Sequence, residues 1–232
     1  YDLERAKYVK DASGNLYVET KEDKLNRAVA ARGYLGGLKI NFFDIITGKG
    51  EKAFSSGYDI SSIGDNDMLR EYYGGHPLEL ALSAIEEHSA PVIAMINGHA
   101  FGAGLELAVT CDIRICASGA KLGMPPAKLG VAYTYSGMRK FINLIGVGHM
   151  KEMFLTGDPV NANKALEIGL VSHVVEKEEL EEFTYNIAEK ICENAPLSME
   201  SVKIAVREWQ KNQKLSEEGD SAIRDIFDRI QN

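Results

Sequence analysis

The sequence predicts an α/β protein in which strand–helix units come first and helices alone come last. Three observations carry the prediction. Residues 91–112 read as a buried strand, a glycine-rich turn and an amphipathic helix. Other β-branched or alternating runs, joined by helical stretches, lie on both sides of that segment. Beyond residue 175 only helical periodicity remains, and no segment repeats at a fixed period.

In chain order, residues 15–20 (NLYVET) alternate apolar and polar side chains and predict a strand. Residues 28–38 are weakly helical and interrupted by Gly33, Gly36 and Gly37. Residues 40–47 (INFFDIIT) are a buried strand, 48–57 a loop, and 60–75 a polar, glycine-containing connection. Leu78, Leu80, Ala81, Ala84 and Ile85 share one face of a helix over 77–88. The strand at 91–96 enters a turn over 97–104, where Gly98, Gly102 and Gly104 permit positive φ or close backbone approach. A helix starts near Gly104. Residues 113–117 are a short strand, and 121–130 a strand running into a loop stiffened by Pro125 and Pro126. Helices follow at 137–145, 148–155 and 162–170, the last stopped by Gly169. A strand at 171–175 precedes a long helix over 178–194, whose inner face is Leu180, Phe183, Ile187, Ala188 and Ile191. Pro196 ends it, and helices over 197–213 and 216–230 complete the chain. The predicted organisation is a core over 1–195 and a helical region over 196–232, both parts of one unit.

Composition narrows the classes. The 232 residues, 45% hydrophobic and 26% charged, suffice for a large domain with a sizeable core. A net charge of −8 argues against a nucleic-acid partner. No apolar run reaches the length of a membrane span, and the first ten residues lack the apolar centre of a signal peptide. Cys111, Cys116 and Cys192 have neither zinc nor disulfide-framework spacing. No metal site is predicted, Cys111 and Cys116 read as small core residues, and a cytoplasmic location fits.

Two glycine bends stand out. FSSGYDI (54–60) and HAFGAGLE (99–106) each lie after a predicted core strand. If those strands are neighbours, both bends open at the same end of the sheet. Each then directs one backbone N–H, of Tyr58 and of Ala103, at a shared oxygen. Such donors stabilise an enolate or a tetrahedral oxyanion, and a helix N-terminus favours negative charge. Glu106 lies one turn inside that helix.

Together FSSGYDI, INGHAFGAGLELAVTCD, LGMPPAKLGV and ALEIGLVSHVV resemble the crotonase (enoyl-CoA hydratase/isomerase) superfamily from about residue 15 to the last helices. The resemblance implies a spiral of ββα units with a C-terminal helical region, assembled as a homotrimer or a hexamer of two trimers. It implies an acyl-CoA thioester substrate whose carbonyl oxygen lies between the N–H groups of Tyr58 and Ala103. It also implies CoA contacts from Lys24 and Leu25 and from Ser56, Gly57, Asp59 and Ile60. Coenzyme A is then part of the substrate, and no separate cofactor is expected. Relatives continue past the position of Asn232 into a basic tail that helps close the CoA site; without that tail CoA would bind more weakly. The stretch between Leu25 and Ile40 is short for the helix the family places there.

Departures from the family pattern bear on the reaction. Family hydratases flank the reacting double bond with two glutamates. One matches Glu106; the place of the other is taken by Pro126, which carries no proton-transfer group. The stretch PPAKLGVAYTYSG is similar to a subgroup of methylmalonyl-CoA decarboxylases, whose tyrosine carries over to Tyr133. That subgroup's histidine in the first oxyanion bend is Tyr58 here. Decarboxylation of a malonyl-type thioester generates an enolate and needs no strong base, so an oxyanion hole is the main requirement. Tyr133 is then placed to hydrogen-bond the departing carboxylate. Glu106 acts as the proton donor if protonated, or repels the carboxylate if ionised. The alternatives are a hydratase or isomerase using Glu106, and a non-catalytic acyl-CoA-binding protein. Tyr135 replaces Tyr133 if the register shifts by two. His99 is expected to be a structural hydrogen-bonder and Lys128 a solvated surface charge. The acidic run at 176–182 reads as the outer face of a helix start.

Overall fold

The computed structural model of the chain describes residues 8–10, 16–18, 43–57, 77–214 and 216–231. By its contacts the chain divides into residues 1–41 and 42–232. In the first unit, β1 (Tyr8–Lys10) and β2 (Leu16–Val18) pair antiparallel, β2 falling inside the predicted 15–20 strand. The predicted helical stretch 28–38 and connection 60–75 lie outside the described residues.

The second unit opens with β3 (Asp44–Thr47), β4 (Ala53–Ser55) and α1 (Pro77–Glu87). Then come β5 (Val92–Ile96), β6 (His99–Phe101) and α2 (Ala103–Thr110). Next are β7 (Ile113–Ala117), β8 (Lys121–Gly123), α3 (Pro126–Leu129) and α4 (Tyr135–Thr156). β9 (Val160–Asn161), α5 (Ala162–Glu167) and β10 (His173–Val175) follow, and after a 3-10 turn come α6 (Leu180–Cys192), α7 (Pro196–Lys211) and α8 (Glu217–Gln231).

Among the described residues, two four-stranded sheets organise the unit. The first has the order β10-β7-β5-β3 and is parallel throughout. The second has the order β4-β6-β8-β9, with β4, β6 and β8 parallel and β9 antiparallel. Three times among the described residues the chain runs a strand of the first sheet, then one of the second, before the next described helix: β3–β4, β5–β6 and β7–β8. This is a spiral of ββα units.

Period-2 alternation explains why the first sheet is buried on both faces. Val92, Ala94, Ile96 and Cys116 point into the main core with Leu105, Leu122 and Phe141. Ile93, Ile115 and Ala117 point the other way, onto Leu180, Ala188 and Ile191. The latter three fall on the predicted inner face of α6. Lys203 fixes α7 to the start of the sheet, pairing with Asp112 Oδ2 at 2.6 Å and donating to Ala90 O at 3.0 Å. Asp112 Oδ2 in turn accepts from the Val92 N–H at 2.7 Å.

The corner between the sheets is held by Asn97. Its Nδ2 donates to the carbonyls of Gly48 at 2.9 Å and Gly50 at 2.8 Å, and its Oδ1 accepts from Gly48 N–H at 3.1 Å. Gly98 follows because a Cβ there would stand 2.5 Å from the Lys52 carbonyl oxygen.

Several expectations change in detail. The predicted loop 48–57 contains β4, and the predicted turn 97–104 contains β6; each strand has three residues, too few to show an alternation. The proline loop contains the helical turn α3, with Pro126 at its first position, where a missing N–H is tolerated. The two helices predicted at 137–145 and 148–155 are both found, the two halves of α4 separated by a kink at Gly146 with φ 73° and ψ 166°. The helix predicted over 162–170 ends at Glu167, and Gly169 has φ 79°.

Candidate active site

The neighbour relation expected of the two glycine bends is found. β3 and β5 lie side by side and parallel, and the bends themselves leave β4 and β6, which are also parallel neighbours. After β6, Gly102 takes φ 53° and ψ −128°, a conformation open to glycine, and donates to the Gly123 carbonyl at 3.0 Å. The helix α2 then starts at Ala103. As the first helical residue, Ala103 has no intrahelical acceptor for its N–H, and it donates to no other described residue.

The other bend reaches this helix start. Gly57 has φ 89°, and a Cβ on it would stand 2.9 Å from the Phe101 carbonyl oxygen and 3.4 Å from the Ala103 nitrogen. Its own N–H donates to Ser55 Oγ at 3.3 Å. Gly104 gives the approach its room, since a Cβ there would lie 2.8 Å from the Ser55 carbonyl oxygen. Ser56 is exposed and Gly57 half-buried. Tyr58, Asp59 and Ile60 lie outside the described residues, as do Lys24 and Leu25.

One turn into α2, Glu106 is only 2% exposed. Among the described residues it is the only buried carboxylate. The Tyr133 hydroxyl donates to its Oε2. Tyr133, not Tyr135, thus meets the glutamate; Tyr135 opens α4 instead. The Tyr133 ring stands edge-on to Phe154, centroids 5.4 Å apart, and Phe154 packs likewise on Phe141 at 5.1 Å. Gly137 leaves the space this pair needs, because a Cβ there would fall 2.5 Å from a Tyr133 ring carbon and 2.9 Å from Glu106 Oε1.

Burial pushes the Glu106 carboxyl above its ordinary range, because the charged form loses solvation. Lys140 and the Tyr133 bond pull it partly back, while Glu79 and Glu86 add to the upward shift. Lys140, on α4, lies 3.8 Å from Glu106 Oε1 and 3.0 Å from Glu86 Oε1, and donates to Thr110 Oγ1 at 3.1 Å. Pro126, which the resemblance puts in the place of the second family glutamate, is buried and brings no carboxylate.

Lys140 and Glu86 were not singled out from the sequence, and Gly137 entered only as the last residue of PPAKLGVAYTYSG and the start of a helix. Gly137 and Lys140 are three apart on a helix, which places them on one face, so folding residues 135–145 at the helical period brings both to the side that Glu106 occupies. Nothing in the sequence couples Glu86 to them, because it stands on another helix. The other expectations read plainly. His99 Nδ1 accepts from the Lys121 N–H at 3.1 Å. Lys128 pairs with Asp158 at the surface. Cys111 and Cys116 are buried, their thiols pushed up to about 12 by desolvation. Among the described residues no three His, Cys, Asp or Glu form a metal cluster, and no helix is long and apolar enough to cross a membrane.

A family profile described as Enoyl-CoA hydratase/isomerase matches residues 44–228. The chain therefore belongs to the enoyl-CoA hydratase/isomerase family, the crotonase superfamily, and the spiral found is the fold that the resemblance implies. It is 38% identical over 162 residues to the short-chain-enoyl-CoA hydratase of Clostridium acetobutylicum, covering 70% of this chain and 62% of that protein. It is 34% identical over 184 residues to the methylmalonyl-CoA decarboxylase of Escherichia coli strain K12, covering 78% of this chain and 67% of that protein. A solved methylmalonyl-CoA decarboxylase in complex with 2-nitronate-propionyl-CoA superposes with a TM-score of 0.77 at 29% identity, over 90% of this chain and 79% of the other. An enoyl-CoA hydratase from Bacillus anthracis superposes with a TM-score of 0.69 at 30% identity, over 90% and 78%. The chain spans about three fifths of the length of the hydratases it matches.

Proposed function

We infer that the protein acts on an acyl-CoA thioester, holds its carbonyl oxygen between the N–H groups of Tyr58 and Ala103, and decarboxylates a malonyl-type substrate such as methylmalonyl-CoA. One observation carries the reading. Among the described residues Glu106 is the only buried carboxylate and lies one helical turn from an Ala103 N–H that has no described partner, and Pro126 takes the place that the family resemblance gives to a second acid. The placement of Gly57 beside the Ala103 nitrogen supports a shared oxyanion site, since Tyr58 is the next residue.

In this reading the bond from the α-carbon to the carboxylate breaks, and its electron pair moves onto the thioester carbonyl as CO2 leaves. The two main-chain donors carry the enolate oxygen's charge. Glu106 in its protonated form then gives its proton to the α-carbon. Its upward-shifted ionisation supports this role, because a general acid is most effective when it titrates near the working pH. Ser56, Gly57, Asp59, Ile60, Lys24 and Leu25 would contact the CoA moiety. Assembly as a homotrimer or hexamer is part of the same reading, supported by exposed Leu197, Val202 and Trp209 on α7.

A second reading is enoyl-CoA hydration with Glu106, favoured by the hydratases among the relatives at 38% identity. Incubation with methylmalonyl-CoA and with crotonyl-CoA, followed by mass spectrometry, separates them. Propionyl-CoA is the expected product. 3-Hydroxybutyryl-CoA would replace decarboxylation with hydration, and tight CoA binding without either product would mark an acyl-CoA-binding protein.

A further inference from the structure

We propose that Lys140 is a positioning residue that sets the protonation state of Glu106, and that Glu86 governs how much of the Lys140 charge reaches it. The catalytic meaning of this arrangement rests on the role given to Glu106 above. The geometry is that of one ammonium shared by two carboxylates on different helices. Lys140 is 11% exposed and Glu86 34%, so the ammonium is largely withdrawn from solvent beside a half-buried carboxylate. The ammonium stands 3.0 Å from Glu86 Oε1 but 3.8 Å from Glu106 Oε1. Thr110 fixes its place from below, accepting from Lys140 while donating its own hydroxyl to the Glu106 carbonyl at 2.8 Å.

Glu106 is therefore served unequally. Its Oε2 takes the Tyr133 hydroxyl, whereas among the described residues its Oε1 accepts no hydrogen bond. The Lys140 ammonium is the positive charge beside that oxygen, and Glu86 holds it back. The groups acting on Glu106 are then Glu79 and Glu86 from α1, Tyr133 from the segment before α4, and Lys140 from α4. Removing the ammonium leaves a buried carboxylate without a counter-charge and favours its neutral form. Removing the Glu86 carboxylate frees the ammonium to close on Glu106 and favours the charged form.

Opposite substitutions therefore give opposite shifts. The full-length protein is labelled with 13C at glutamate Cδ and titrated by NMR, the Glu106 signal being the one absent from Glu106→Gln. Lys140→Met raises the Glu106 midpoint by about one pH unit or more. Lys140→Arg keeps it close to wild type, and Glu86→Gln lowers it. The Glu106-dependent limb of the pH profile for acyl-CoA turnover moves the same way in each variant. An unmoved midpoint in Lys140→Met, or an upward shift in Glu86→Gln, overturns the proposal. If Lys140→Met does not fold, Glu86→Gln decides alone: a lower midpoint sustains the proposal and an unchanged one overturns it. Midpoints that move as expected, with no turnover of either acyl-CoA, would overturn the proposed reaction and leave the control of Glu106 standing.

Discussion

The Tyr133 hydroxyl donates to Glu106 Oε2 across 27 positions of sequence, so the phenol proton is committed to the protein's own carboxylate. A tyrosine expected to meet a substrate carboxylate thus acts first on the buried acid. Tyr133→Phe removes a bond that favours the charged form of Glu106, whose ionisation should move further up. A hydrogen bond to a charged group contributes about 1.5–3 kcal/mol to the folded state, and turnover should fall because the acid is no longer oriented by the phenol. The phenylalanine ring keeps the edge-on contact with Phe154, so the melting temperature should fall only by the share of the lost bond, about 3–12 °C at roughly 2–4 °C per kcal/mol. Turnover of methylmalonyl-CoA beside a thermal melt checks this, and unchanged turnover would remove Tyr133 from the mechanism.

Glu106→Gln tests the acid itself. Turnover should fall by about 10²- to 10⁴-fold, the usual contribution of a positioned proton-transfer group. Stability gives an independent reading. Burial raises the folded-state value of Glu106 above that of an ordinary carboxyl, so the folded chain holds this proton more tightly than the unfolded chain. The stabilisation from this group is full below the unfolded value and is lost as pH rises through the raised folded value. Melting curves collected from pH 4.5 upward should show wild type losing stability relative to Glu106→Gln. Parallel pH dependences in the two proteins would contradict the upward shift.

Gly57→Ala bears on the oxyanion site. The added methyl meets the Phe101 carbonyl oxygen at 2.9 Å and the Ala103 nitrogen at 3.4 Å, at a φ of 89° that L side chains rarely adopt. The bend must move away from α2. Losing one donor of an oxyanion hole costs about 10²- to 10³-fold in kcat. The backbone strain adds about 1–2 kcal/mol of destabilisation. Steady-state kinetics with the active thioester should show kcat falling more than KM rises; an intact kcat would place the oxyanion elsewhere.

Much of this fold was legible because its signals are local. The apolar run at 91–96, the short strand at 113–117, the inner face of α6, and the break at Gly146 each follow from a few neighbouring residues. β4 and β6 were not, because three residues carry no period and their pairing depends on contacts with distant strands. At the site, Ala103 and Glu106 were readable as a glycine bend and a carboxylate on one helix. Tyr133 came from the resemblance alone, and only the structure ties it to Glu106 rather than to a substrate. Lys140 and Glu86 were invisible, since their significance arises where α1, α2 and α4 meet.

Asn97→Ala tests whether the corner between the sheets positions the site from a distance. The side chain makes three hydrogen bonds, to Gly48 N–H and to the carbonyls of Gly48 and Gly50. Each contributes about 1 kcal/mol, and the backbone groups it leaves behind regain only partial solvation. The melting temperature should fall by about 6–12 °C, given a shift of roughly 2–4 °C per kcal/mol for a chain of this size. The loss should also reach the chemistry. Asn97 ties the connection leading into β4 to the end of β5, and the parallel pairing of β4 with β6 brings Gly57 against Ala103. Turnover should therefore drop while the Glu106 midpoint stays where it is, because Tyr133, Lys140 and Glu86 do not depend on that corner. A midpoint that moved with Asn97 would mean that the corner also holds the buried acid.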